Sequence, residues 1–261
     1  MTTIRKVLLP LQASVTTEAA FKTAVLVTRM WNAHLAVLHV TTDRAQESSM
    51  RALFERLVAE HGLVMADPKP NADISTASFA AVTGREPDIV AREARLADLV
   101  VVAHPASDKE VSSSDALHAV LFDSSTPILI APQTAASTIG QRICVGWNGT
   151  AESASAVLSA MPWLHRALSI RILWSDDYQR RGPLAPDLQT YLAAHDIQAD
   201  RVAFRTVNNI VGAGLLAAAG EFDCDLLVMG AYSHSRLRQL FLGGVTRHVL
   251  GHATIPLMMH R

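Results

Sequence analysis

The sequence repeats itself. The run Val7-Leu8-Leu9-Pro10-Leu11 returns as Ile143-Cys144-Val145-Gly146-Trp147, and each copy leads through a small polar turn into an Ala-rich segment with helical spacing. Asp98 to Ala103 (DLVVVA) matches Asp225 to Gly230 (DLLVMG), and Thr126 to Ile130 (TPILI) matches Thr254 to Met258 (TIPLM). Matched runs in one order, half a chain apart, indicate one folding plan used twice. The length of 261 residues agrees with this, being enough for two domains of roughly 130 residues that each bury a core.

Within each half, short continuous apolar runs alternate with longer segments at helical spacing. Strands covered by helices on both faces read this way, because neither side of the strand meets water. The first half predicts strands near 4–11, 34–40, 74–79, 98–103 and 127–131, with helices near 16–31, 46–61, 87–96 and 114–123. The second predicts strands near 142–147, 168–174, 201–207, 225–230 and 255–259, with helices near 151–165, 184–195, 211–221 and 243–251. The expected fold is two tandem α/β sandwich domains, residues 1–133 and 141–261, each a five-stranded parallel sheet with helices on both faces. Thr134 to Gly140, small and polar, reads as the linker.

Composition narrows the function classes. Apolar residues make up 49% of the chain, yet no uncharged apolar run approaches the roughly 18 residues of a membrane span. Val7 to Leu11 is too short for the core of a signal peptide, so the expected compartment is the cytoplasm. A formal charge of −1 offers no general attraction to nucleic acid or anionic lipid, and any anion site has to be local. Cys144 and Cys224 lie in or beside apolar runs and read as buried packing residues. The histidines form no HExxH pair, and no metal site is expected.

In a parallel α/β sheet, ligands sit beyond the carboxyl ends of the strands, where the N–H groups that open a helix can meet an anion. The loop after strand 225–230 runs from Gly230 through Ser233, His234, Ser235, Arg236 and Arg238 to Gly243-Gly244-Val245-Thr246. Gly243 and Gly244 directly precede a helical pattern, so with no Cβ in the way their N–H groups can approach phosphate oxygens, and Thr246 can add a hydroxyl. Ala231 to Leu250 holds Arg236, Arg238 and Arg247 and no acid. The matching stretch of the first half, His104 to Asp123, has no glycine and carries Asp108, Glu110, Asp115 and Asp123. One fold therefore supplies both a phosphate-friendly loop and its acidic counterpart, and the first half reads as the degenerate copy.

These residues resemble the universal stress protein family, over essentially the whole chain. Its nucleotide-binding members carry a glycine, two residues, a second glycine, nine residues, then a glycine followed by Ser or Thr. Gly230 and Gly243 stand at the first and third glycine positions, Ser233 replaces the middle one, and Gly244 takes the Ser/Thr position. Members that bind ATP place an aspartate after the first strand; here Asn148 stands there in the second half and Gln12 in the first. The resemblance implies an adenine-nucleotide alpha hydrolase-like fold and a stress-response role. It also implies ATP or ADP held by Asn148, Gly230, Ser233, Ser235, Gly243, Gly244, Val245 and Thr246. It further implies that the two domains pair within the chain, strands 127–131 and 255–259 covering each other's edges, and a homodimer is the further assembly considered.

Competing readings stand beside these. Gly230 and Gly243-Gly244 also suit a strand-ending turn and a helix start, and Ser233, Ser235 and Thr246 suit caps. Gly212-Ala-Gly214-Leu-Leu-Ala217 fits a relaxed dinucleotide pattern, but it follows the third strand of its domain, whereas that fingerprint belongs to the first turn. No nucleophile with a base at defined spacing is evident, so at most slow hydrolysis is expected. The alternative function is a stress-response interaction module that holds no nucleotide and works through protein partners.

Overall fold

The computed structural model describes residues 3–41, 43–68, 73–104, 115–231 and 244–261. The chain separates into two compact units with the break between Ala136 and Ser137.

In the first unit, strands β1 (Lys6–Pro10), β2 (His34–Val40), β3 (Val64–Met65), β4 (Thr76–Val82), β5 (Leu99–Val102) and β6 (Ile128–Ile130) form a sheet. Their order is β3-β4-β2-β1-β5-β6, with every pair parallel. Helices α1 (Thr17–Trp31), α2 (Arg44–Glu60), α3 (Glu86–Ala94) and α4 (Asp115–Asp123) connect them. Five of these strands are the expected ones. The sixth, β3, is a two-residue exposed edge strand that the sequence did not suggest.

The second unit has strands β7 (Arg142–Gly146), β8 (Ser169–Trp174), β9 (Asp200–Ala203), β10 (Leu226–Gly230) and β11 (Leu257–His260). They are parallel in the order β9-β8-β7-β10-β11. Helices α5 (Ala151–Leu164), α6 (Ala185–Ala193), α7 (Val211–Glu221) and α8 (Gly244–His252) complete it.

Burial accounts for the apolar runs. Val7, Leu8 and Leu9, Leu99 to Val102, and Ile128 to Ile130 are buried in the first unit, as are Ile143 to Val145, Leu226 to Met229 and Leu257 to Met259 in the second. Both faces of these strands are covered, so consecutive residues are apolar rather than alternating. Local signals set the helix ends. Asp43 accepts from the Ala45 N–H at the start of α2, and the Thr150 hydroxyl accepts from the Ser153 N–H at the start of α5. Asn32, in the left-handed region at φ 49°, closes α1.

The repeat has a mechanical basis. Asp98, just before β5, accepts from the N–H groups of Arg5 and Lys6 at 2.7 and 2.9 Å. Asp225, just before β10, accepts from those of Gln141 and Arg142 at 3.1 and 2.8 Å. In each unit one carboxylate fixes the backbone entering the first strand and so sets the register of two neighbouring strands. Both cysteines are buried, with the Cys224 thiol donating to the Leu226 carbonyl at 3.1 Å.

Candidate functional site

The carboxyl ends of β7 and β10 lie side by side, because Gly146 pairs with Met229 in a parallel register. The chain leaving β7 therefore carries Trp147, Asn148 and Gly149 past the end of β10, where Gly230 stands. Gly244, Val245 and Thr246 form the first turn of α8, with Gly244 exposed and Thr246 buried. Ser233, Ser235 and Gly243, along with Arg236 and Arg238, lie outside the described residues.

The two described glycines of the proposed phosphate loop have different surroundings. A Cβ on Gly230 would stand 2.5 Å from the Ser153 nitrogen and 2.6 Å from the Glu152 carbonyl carbon. Gly230 thus lets the first turn of α5 pack onto the end of β10. Among the described residues, a Cβ on Gly244 would meet nothing within 4 Å, so their packing places no demand for glycine there. No acid stands in the first turn of α8, which leaves the partial positive charge of its N–H groups uncompensated from within the helix.

Asn148 is buried and its side chain turns inward. Its Oδ1 accepts from the Thr150 N–H at 3.2 Å and from the Thr150 hydroxyl at 3.0 Å, while Thr150 caps α5. Its backbone carbonyl accepts from the Arg180 N–H at 2.8 Å. That bond belongs to a strap, residues 175–184, that folds back from β8 over the exit of β7. The Trp147 indole N–H donates to the Pro183 carbonyl at 2.9 Å, and Gly149 (φ 79°) lies directly against Gly182 (φ 145°). A Cβ on Gly149 would be 2.8 Å from the Pro183 carbonyl oxygen, and one on Gly182 would overlap the Gly149 carbonyl. Both glycines are thus required by close approach and by positive φ. Tyr178 packs at the base of the strap against Phe204, and burial pushes its phenol above the ordinary range.

Sequence reasoning missed this strap. Its signals were present as Gly149 after Asn148 and as Gly182-Pro183, but their meeting is tertiary. The dinucleotide-like glycines also have a packing explanation. A Cβ on Gly212 would be 2.9 Å from the Cβ of His248, and one on Gly214 would overlap the Arg205 carbonyl, so these glycines seat α7 against α8 and the segment after β9. Among the described residues no cluster of His, Cys, Asp and Glu could hold a metal ion, and no helix is long and apolar enough to cross a membrane.

Comparison with known proteins places this architecture. Residues 141–261 match the universal stress protein family. A universal stress protein from Archaeoglobus fulgidus aligns over 99% of this chain and 97% of its own, with a TM-score of 0.74 and 14% identity. A functionally unknown protein from Pseudomonas aeruginosa aligns over 98% of this chain and 92% of its own, with a TM-score of 0.61 and 16% identity. No curated protein matches the sequence. At these identities the structural likeness establishes fold, and the sequence match establishes the family of the second half. Residues 141–261 match the universal stress protein family, and the chain over nearly its whole length carries the fold of the universal stress protein it aligns with.

Proposed function

We propose that this is a stress-response regulatory protein whose second domain holds an adenine nucleotide, ATP or ADP, with the phosphates at the start of α8. The observation that carries this reading is the contrast at one place in the repeat. In the second unit the described part of α8 begins at Gly244, where a Cβ would meet no described atom within 4 Å, and its first turn holds no acid, whereas the matching segment of the first unit, 104–123, carries Asp108, Glu110, Asp115 and Asp123 in its sequence. An anion at a helix N-terminus gains from the oriented N–H groups, and a carboxylate in the first turn removes that gain. Thr246 adds a hydroxyl from the same turn, and Asn148 stands at the neighbouring strand exit. The domain boundaries that go with this reading are 1–133 and 141–261. The protein acts by being occupied or empty rather than by turnover, and self-association to a homodimer is its further assembly.

A second reading has its own observation. The strap already engages the Asn148 carbonyl and lies against Gly149, at the strand exit where the first reading puts Asn148 beside the nucleotide. This favours an interaction module working through protein partners in the cytoplasm. Denaturing freshly purified protein and analysing the released small molecules by mass spectrometry separates the two. An adenine nucleotide near one equivalent per chain supports the first reading, and an empty protein that takes up none on incubation supports the second.

A further inference from the structure

The second unit contains a pocket that the proposed nucleotide site does not use. It is a cavity of about 400 Å³ lined by Trp147, Val157, Leu158, Pro183, Leu188 and Tyr191, between α5, α6 and the strap, with Ala154 and Asp187 also on its wall. Gly230, Gly244 and Thr246 are not among its lining residues. Its size is that of a small-molecule site, and such sites are mostly apolar with few polar groups.

Two polar groups on this wall, those of Trp147 and Asp187, are committed elsewhere, and the Tyr191 hydroxyl is a third polar group on it. The Trp147 indole N–H donates to the Pro183 carbonyl, and the Asp187 carboxylate accepts from the Leu184 N–H at 2.7 Å. The wall is also held in place. Gly149 and Gly182 lock the strap to the exit of β7, which fixes Pro183 against Trp147, and Tyr191 is braced by the His195 ring 4.7 Å away. A preformed pocket loses little order on binding, so the burial of an apolar ligand is not offset by ordering its walls. Leu158 is 56% exposed and Tyr191 40% exposed, which leaves the pocket reachable from solvent.

We propose that this pocket binds a small uncharged aromatic molecule. An ion is disfavoured, because among the described residues the one charged residue on the wall, Asp187, is spent on a helix start and no cation lines the pocket. Flat walls from Trp147, Pro183 and Tyr191 favour a planar ring over a branched chain. This site is separate from the phosphate site and does not depend on it.

N-phenyl-1-naphthylamine, an uncharged aromatic whose fluorescence rises in apolar surroundings, is the probe. The expected result is saturable uptake at one site per chain, unaffected by excess ATP. Leu158→Arg places a charge at the exposed rim and should weaken uptake by more than about tenfold with an unchanged unfolding transition. Leu168→Arg, at a residue 79% exposed and outside the pocket, should leave it unchanged. Displacement of the probe by ATP would merge the pocket with the nucleotide site and overturn the proposal. So would absence of saturable uptake, wild-type uptake by Leu158→Arg, or a concentration-dependent dimer that Leu158→Arg abolishes in protein taking up no probe.

Discussion

Gly230 at the end of β10 lies against the backbone of Ser153, so that a Cβ at position 230 would be 2.5 Å from the Ser153 nitrogen. One glycine of the family's nucleotide motif is thus demanded by the fold itself, because the first turn of α5 sits on the strand end. Gly244 is under no such demand from the described residues.

Gly230→Ala should therefore destabilise the second unit by about 1–3 kcal/mol, the usual cost of overpacking a closed contact, since the clashing atoms are backbone and cannot rotate away. Gly244→Ala should be neutral or stabilising by up to about 1 kcal/mol, because alanine is the better helix former and meets nothing among the described residues. Urea denaturation followed by circular dichroism tests both; equal effects from the two substitutions would contradict the assignment.

The strap makes a second prediction. Gly182→Ala puts a Cβ onto the Gly149 carbonyl at a φ of 145°, which side chains rarely adopt. The strap should detach from the exit of β7, with a stability loss of roughly 2 kcal/mol or more. Trp147→Phe removes the donor to Pro183 and part of a buried ring, and should cost about 1–3 kcal/mol. Limited proteolysis should cut Gly182→Ala between residues 175 and 184 before it cuts wild type, and equal resistance would show that the strap is not held by this contact.

In the first unit His34 is buried between β1 and β4, its Nδ1 2.8 Å from the Thr76 hydroxyl and its Nε2 2.9 Å from that of Ser78. Burial, assisted by Lys6 and opposed by Asp67, lowers its pKa below the ordinary 6.5. The neutral ring is the folded form, so the unfolded chain binds more protons and stability rises with pH. The His34 contribution is complete above its unfolded value and is lost as pH falls through the lowered folded one. Stability of His34→Gln should thus fall less steeply than that of wild type from about pH 7.5 to about pH 5. Thermal unfolding across that range measures it, and parallel curves would count against the assignment.

Much of this was legible in the sequence because the signals are local. Leu99 to Val102 and Leu226 to Met229 are continuous apolar runs that only doubly covered strands require, and Asp98 and Asp225 marked the repeat. The edge strand β3 was not legible, since Val64 and Met65 are exposed and pair through backbone alone. Neither was the strap, because nothing near Gly149 announces that Gly182 will lie on it. Gly212 and Gly214 show the reverse case, a ligand-like local pattern explained by His248 and the Arg205 carbonyl, which only the folded chain brings near. At the candidate site, Asn148, Gly230, Gly244, Val245 and Thr246 can be placed, while Ser233, Ser235 and Gly243 lie outside the described residues.

The central claim is that one nucleotide phosphate site exists per chain, at the start of α8. Isothermal titration of ATP into wild type and Gly244→Val, with Gln12→Ala as the control in the first unit, tests it most directly. Valine at an open helix start should leave the fold intact while placing its branches where phosphate oxygens approach the N–H groups. The account predicts one site per chain in wild type and in Gln12→Ala, with affinity reduced at least about tenfold in Gly244→Val. Two sites per chain, no binding by wild type, or wild-type affinity in Gly244→Val would contradict it.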